Sequence, residues 1–214
     1  MTRPAREPQR LDDQRFRDDV VKKILSVTNN VPPPTYAPSD DSLLMIEALA
    51  NLQLNQMKVL DMGTGSGILG LYCSMHGADV TASDIDELAI TEAGRAARTL
   101  GVTLKLLVSD LFSNIPGQFD LILFNPPYLP SKDCEDRSVD GGPEGTRLTN
   151  RFLNTLPTHL HRGAQALLMM SSLNDPASIQ LRHRNFEFET VARRSLFFEE
   201  LQVLRVRLRD NLAV

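Results

Sequence analysis

The run LDMGTGSGILG, Leu60–Gly70, decides the fold. An apolar strand, Val59-Leu60-Asp61-Met62, gives way to glycines at alternate positions and then to the apolar helical stretch ILGLYCSMH. A glycine-rich turn between a strand and its following helix brings backbone N–H groups close to a ligand. Two readings of the loop compete. Gly65–Gly70 satisfies GxGxxG, which suggests a dinucleotide but is a weak signal alone. Asp61–Gly67 satisfies acidic-x-Gly-x-Gly-x-Gly. Charge separates the two: a carboxylate at the strand end repels a pyrophosphate and attracts an ammonium, such as that of S-adenosylmethionine. Gly63 and Gly65 then allow a close approach that side chains would block, and Gly67 completes the pattern. An Asp that only caps the turn does not explain three alternate glycines.

Outward from the loop, short β-rich runs alternate with helical ones: VLDM, ILGLYCSMH, DVTASD, ELAITEAGRAARTL, TLKLLVSD, FDLILF. This alternation is the sign of right-handed βαβ crossovers and a parallel sheet. Downstream come a helical run near Arg147–Leu160, a strand at Ala164–Ser171, a helix from Pro176 to about Arg184, and two β-like runs, Phe186–Ser195 and Glu200–Leu208, close enough to pair antiparallel. The fold class is α/β: a Rossmann-like sheet of seven mostly parallel strands, helices on both faces, the last strand antiparallel. Before the core, Phe16, Val20, Ile24 and Val27 recur at helical spacing between Leu11 and Thr28, with Asp12 and Asp13 in the first turn. Ser39 is placed to cap a second helix carrying Leu43, Leu44, Ile46 and Leu52. Residues 1–30 thus read as an arm plus an amphipathic helix, and residues 31–214 as one catalytic domain.

In such a sheet, ligands bind in the crevice at the carboxyl ends of the strands. Asp84 ends the second strand about twenty residues after the loop, where a carboxylate can take both ribose hydroxyls. Asp110 follows the third strand where an adenine edge would lie, with Ile85 and Leu111 placed to sandwich the ring. The fourth strand runs into FNPPYLP, Phe124–Pro130. Two prolines cannot continue a sheet ladder, so the strand stops at Phe124. Asn125 and Pro126 each precede a proline and are pushed toward extended backbone, leaving their carbonyls with no neighbouring N–H from 126 or 127. Asn125 adds a side-chain carbonyl and Tyr128 a flat face. This row of acceptors suits a planar NH2 group, either a carboxamide or a base's exocyclic amine. Alone, the tetrapeptide also fits a plain proline-rich turn. The ordered set of Asp61, Asp84, Asp110 and Asn125 at four successive strand ends favours a site.

Composition narrows the partners. The 214 residues suffice for one well-buried domain, and 42% hydrophobic with 23% charged residues is a soluble, globular balance. No apolar run approaches a membrane span, and MTRPAREPQR lacks a signal's hydrophobic segment, so a cytoplasmic enzyme is expected. Cys73 and Cys134 have no zinc spacing and read as free thiols, and His159-Leu160-His161 has no third ligand nearby, so no metal is expected. A net charge of −4 argues against tight binding of bulk nucleic acid. Arg193-Arg194 and Arg205–Arg209 are basic clusters that equally suit solvated strand faces.

With loop and NPPY in register, the chain resembles a class I S-adenosylmethionine-dependent methyltransferase of the HemK type, and more closely its archaeal and eukaryotic branch. That branch methylates the glutamine of the GGQ motif in peptide-chain release factors. The resemblance runs from about Thr35 to the end and includes TYAPSDDSLL (35–44), FNPPYLP, GGPEGTRLTNRFL (141–153) and FFEELQVLRV (197–206). It implies that Tyr36, Asp40 and Ser42 help close over the cofactor, that Asn125, Pro126 and Tyr128 hold the glutamine side chain, and that the reaction is N-methylation. Bacterial members carry a longer helical domain before the core; only a helix and a short arm precede it here. Similar short members work with a small zinc-binding activator subunit. A partner is expected along the third strand, whose run LKLLV (104–108) would lie at the sheet edge with open backbone. The alternative is an N6-adenine-type methyltransferase acting on RNA or DNA; a dinucleotide-dependent oxidoreductase rests on GSGILG alone.

Overall fold

The structure, a computed structural model, describes residues 19–29, 35, 37–127 and 146–209 of the 214. Strand β1 (Lys58–Met62) is buried in all but its first residue. It is the sheet's centre because Val59, Leu60 and Met62 are apolar on both faces, as a doubly covered parallel strand must be. From Gly67 the chain enters α3 (Ile68–Met75), then β2 (Asp79–Asp84) and α4 (Glu87–Leu100), the last capped by Asp86, whose carboxylate accepts the Leu88 N–H at 2.9 Å. Next come β3 (Lys105–Val108), β4 (Phe119–Phe124), α5 (Arg147–Thr155), β5 (Leu160–Ser171), α6 (Pro176–Arg182), β6 (Phe186–Ser195) and β7 (Glu200–Leu208). Two helices, α1 (Asp19–Thr28) and α2 (Asp40–Leu49), precede them.

The seven strands lie in the order β3-β2-β1-β4-β5-β7-β6. Strands β1 to β5 are parallel, and β7, the last, is antiparallel to both its neighbours. Two cores cover the two faces. One joins α1 to α4 with Val59, Leu121, Leu123, Leu167 and Val203; the other joins Phe152 and Leu153 of α5 and Ile179 of α6 with Leu60, Ile122, Phe124 and Leu168. The alternation of neighbours along β4 (Leu121 and Leu123 one way, Ile122 and Phe124 the other) is the period-2 pattern of a strand buried on both sides.

Helix α1 sinks Val21, Ile24 and Leu25 into the first core and rests on α3 and α4, so it shares the domain's core. Its expected first turn at Asp12 and Asp13 lies outside the described residues. The helical run expected to reach Leu160 leaves the α conformation after Thr155, passes through a 3-10 turn at Leu156–His159 containing Pro157, and β5 starts at Leu160, four residues before the expected Ala164. Pro157 cannot donate to the helical ladder, and Leu160 finds a strand partner in Phe119 before the register shifts to Leu121 opposite Gln165. Ser39 stands at the N-cap of α2, but its hydroxyl donates to Asp41 Oδ1 at 2.6 Å, and Leu52 falls beyond the helix end. No described helix is long and apolar enough to cross a membrane.

Candidate active site

The register aligns four strand ends along one rim. Met62 of β1 lies opposite Ser83 of β2 and Phe124 of β4, and Asp84 lies opposite Val108 of β3. In space the sequence-predicted residues therefore follow the order Asp110, Asp84, Asp61, Asn125 along the carboxyl edge.

The loop after β1 is held from within. Asp61, 1% exposed, accepts on one oxygen, Oδ2, both the Thr64 hydroxyl at 2.6 Å and the Gly70 N–H at 2.9 Å. Oδ1 takes neither bond. Burial lifts the Asp61 pKa from 3.8 to about 6, the Thr64 and Gly70 bonds pull against that rise, and the charge of Asp84 adds to it. Gly63, Gly65 and Gly67 all sit at positive φ (65°, 53° and 87°), the region that only glycine enters freely. Among the described residues, a Cβ on Gly63 would meet nothing nearer than the Phe124 ring at 3.9 Å, so these residues leave the space over Gly63 open. A Cβ on Gly67 would instead press on Ala93 of α4 at 3.0 Å, so the third glycine serves packing.

At the next strand end, Asp84 Oδ2 accepts the Gly65 N–H at 2.9 Å and Oδ1 accepts the Asp86 N–H at 3.0 Å. Burial raises the Asp84 pKa above 3.8 against these two bonds. Ile85 beside it is 56% exposed, a large apolar side chain at the rim. Leu111, partly buried, stands at φ 49°, a left-handed conformation held by the Ser109 hydroxyl donating to its carbonyl at 2.7 Å. Asp110 is paired: Arg151 of α5 donates to its Oδ2 at 2.9 Å.

Asn125 follows the last residue of β4. Its side-chain oxygen is buried and accepts no hydrogen bond among the described residues. Pro126, next along, is buried. Tyr36 and Tyr128 lie outside the described residues. Asp40 and Ser42, placed in cofactor closure by the resemblance, are engaged at the start of α2. Asp40 Oδ1 pairs with Arg194 of β6 at 3.1 Å, and Ser42 gives its N–H and hydroxyl to Asp41 Oδ1 at 2.5 and 3.2 Å. The basic clusters are largely neutralised: Arg193 pairs with Glu200, Arg194 also with Glu47, Arg205 with Glu189 and Arg209 with Glu187. His161 pairs with Asp120 at 2.9 Å, and His159 stacks on Phe112.

Among the described residues, a glycine loop with an open floor, a buried carboxylate (Asp61) and a half-buried one (Asp84) on neighbouring strand ends, an exposed isoleucine beside them and a buried, unpartnered carbonyl on the third form a two-part rim. One part can hold a cation-bearing ligand and the other a hydrogen-bond donor. The sequence profile of the "methyltransferase small domain" family matches residues 39–197.

The chain belongs to the methyltransferase small domain family.

A Methanocaldococcus jannaschii protein, provisionally named a protein N5-glutamine methyltransferase, is 32% identical over 86% of this chain and 98% of its own length. Among solved structures, the E. cuniculi Mtq2–Trm112 complex, responsible for methylation of the eRF1 translation termination factor, matches with TM-score 0.69 at 22% identity over 81% of this chain and 98% of the other. The T. thermophilus 16S rRNA N2 methyltransferase RsmC, in complex with AdoMet and guanosine, matches with TM-score 0.64 at 22% identity over 82% of this chain and 45% of that one. Both share the small domain's fold. Two residues of this methyltransferase escaped the sequence reading. Thr64, which pins Asp61, occupies a variable slot of the glycine pattern, and Arg151, which pins Asp110, lies in the segment GTRLTNRFL without any spacing that points to its partner.

Proposed function

We propose that the chain transfers a methyl group from S-adenosylmethionine to the side-chain amide nitrogen of a protein glutamine, in the GGQ motif of a peptide-chain release factor. One observation carries the acceptor half: the buried Asn125 Oδ1 that accepts nothing among the described residues. A buried carbonyl without a donor costs roughly 1–3 kcal/mol, and an NH2 group in the rim satisfies it. The name of the M. jannaschii relative supports a glutamine over other amides.

The donor half fits the same rim. Asp61 would hold the ammonium, Gly63 leaves room for the ligand's approach, Asp84 would take the ribose hydroxyls, and Ile85 and Leu111 would cover the base. Bound there, the sulfonium supplies an electrophilic methyl group. The chain's own task is then to prepare a poor nucleophile, since the amide lone pair is delocalised into its carbonyl. Asn125 Oδ1 and the Pro126 carbonyl each accept one N–H, which favours a pyramidal nitrogen and frees its lone pair. Asn125 thereby fixes the nitrogen's position, and alignment of this kind supplies up to roughly 7–11 kcal/mol in the best intramolecular systems. No strong base would be needed: the donor would leave as a neutral thioether, the alkylated nitrogen would carry the positive charge, and the proton it then loses would pass to solvent. Tyr128 would pack on the amide plane.

The deciding experiment is a tritiated-methyl transfer assay with a release factor, the same factor with its GGQ glutamine changed to alanine, and bulk RNA. Label on the first alone supports the reading; label on RNA instead assigns the site to an exocyclic amine. A small activator subunit along β3 belongs to the same proposal, in line with the two-protein E. cuniculi structure.

A further inference from the structure

The turn between β6 and β7 carries Leu196-Phe197-Phe198-Glu199, with Phe197 100% and Phe198 94% exposed. Single exposed apolar residues need no explanation, but adjacent aromatic rings held out together mark a contact surface. The turn is firmly built. Leu196 N–H donates to the Glu199 carbonyl at 2.8 Å, Ser171 Oγ to Glu199 Oε2 at 2.6 Å, and Glu200 N–H to Ser172 Oγ at 3.0 Å. These bonds lock the base of the turn to the end of β5, beside Leu173, which is 49% exposed.

Its place is on the active-site side of the molecule. Phe124 lies opposite Leu168, Leu168 opposite Leu204, and three residues further out Ser171 lies opposite Leu201. The turn therefore starts on the order of 10 Å beyond the level of Phe124 and stands two and three strands away, about 10–15 Å to the side of Asn125. One acceptor side chain at Asn125 cannot reach it; the body of a macromolecule can. Charge favours protein over nucleic acid. At the turn's root Arg194 is largely buried between Asp40 and Glu47, and Arg193, itself exposed, faces Glu200 at 3.5 Å, so two cations stand among three carboxylates and a phosphate backbone is disfavoured. Aromatic rings can stack on bases, but single-strand binding couples stacking to a basic groove.

We propose that the Phe197–Phe198 turn is a docking finger for the body of the protein substrate, seated in an apolar pocket of that protein while its glutamine loop enters the rim at Asn125. This rests on the amide reading of the site. The test compares wild type with F197S/F198S and F197L/F198L on an intact release factor and on a short peptide spanning its GGQ loop. Thermal midpoints check that each variant folds. The expected result is a KM for the intact factor raised about tenfold or more in the serine variant, kcat and peptide kinetics unchanged, and recovery in the leucine variant. An unchanged KM for the intact factor overturns the proposal. So does equal loss on factor and peptide, which would make the turn part of the site itself. Wild-type self-association abolished by the serine pair, with KM unaltered, would hand the finger to a second copy; lost RNA binding with KM unaltered would hand it to RNA. If wild type, assayed alone and together with the activator subunit, methylates neither factor nor peptide, the amide reading fails by that result alone and takes the finger's assignment with it, whatever the variants do.

Discussion

Gly65 donates its backbone N–H to Asp84 Oδ2 across 2.9 Å, so the carboxylate proposed to meet a ribose also clamps the end of β2 to the glycine loop of β1. Removing it has two effects that separate by substitution. Asp84→Ala frees the Gly65 N–H and is expected to lower donor affinity by an order of magnitude or more, since charge-assisted bonds are lost and the loop slackens. Asp84→Asn keeps an acceptor for Gly65 and should hold the thermal midpoint while still weakening binding. Titration calorimetry with S-adenosylmethionine measures both; an unchanged dissociation constant in both variants removes Asp84 from the site.

Asn125→Ala is expected to leave donor binding intact and to reduce methyl transfer about a hundredfold or more, equivalent to about 2.7 kcal/mol of transition-state stabilisation. Stability should move the other way. The side-chain oxygen is buried without a partner among the described residues, so deleting it relieves a desolvation penalty of roughly 1–3 kcal/mol. A variant that is slower and no less stable is the signature of a group held for function. Near-wild-type turnover would exclude the amide clamp.

Much of the fold was legible because each strand is bounded by chemistry visible in the chain. Pro126 and Pro127 end β4 at Phe124, and the alternating glycines separate β1 from α3. The run Phe186–Ser195 was read with its observed ends, and α4 matches its helical stretch residue for residue. The candidate site was legible as strand ends, because the register follows from the sheet class. What escaped was who holds whom. Asp40 with Arg194 and Asp110 with Arg151 join residues 154 and 41 positions apart, and nothing local announces either pair. The early start of β5 was hidden because Leu160-His161-Arg162-Gly163 has no alternation, and only Phe119 across the sheet makes it a strand.

Strand β3 is a sheet edge, as the sequence suggested, but its apolar face is less open than LKLLV implied. Leu106 points toward α4, where a Cβ on Gly94 would come within 2.8 Å of its Cδ1, and Lys105 is pinned to both oxygens of Asp79 at 2.7 and 2.8 Å. Val108, 41% exposed, is the open position. Val108→Asp is therefore the substitution that tests partner docking, while Leu106→Asp would damage the fold. The variant should lose activator binding with a stability change within about 0.5 kcal/mol. Sedimentation and activity titration check it: a monomeric, fully active chain indifferent to added activator rules the subunit out.

Asp61 gives the site a pH dependence whose sign follows from its surroundings. Burial raises its pKa from 3.8 to about 6, so the folded state disfavours the ionised form. Its contribution to stability is fully present below pH 3.8, is lost as pH rises through about 6, and then stays constant; the shift corresponds to about 3 kcal/mol. A cationic donor reverses the preference, because an ammonium beside Asp61 stabilises the carboxylate. Donor affinity should thus rise with pH up to about 6 and level off above it, falling by up to tenfold per unit on the acid side. Asp61→Asn separates charge from architecture: its carbonyl can still accept the Thr64 hydroxyl and the Gly70 N–H, so the loop persists while the titration disappears. Asp61→Ala instead strands both donors and should destabilise the fold by roughly 2–6 kcal/mol, about 1–3 for each. Calorimetric titrations of wild type and the Asn variant between pH 5 and 8 read the difference. A wild-type affinity that is flat across pH 6, or an Asn variant that keeps the slope, would place the cation elsewhere on the rim.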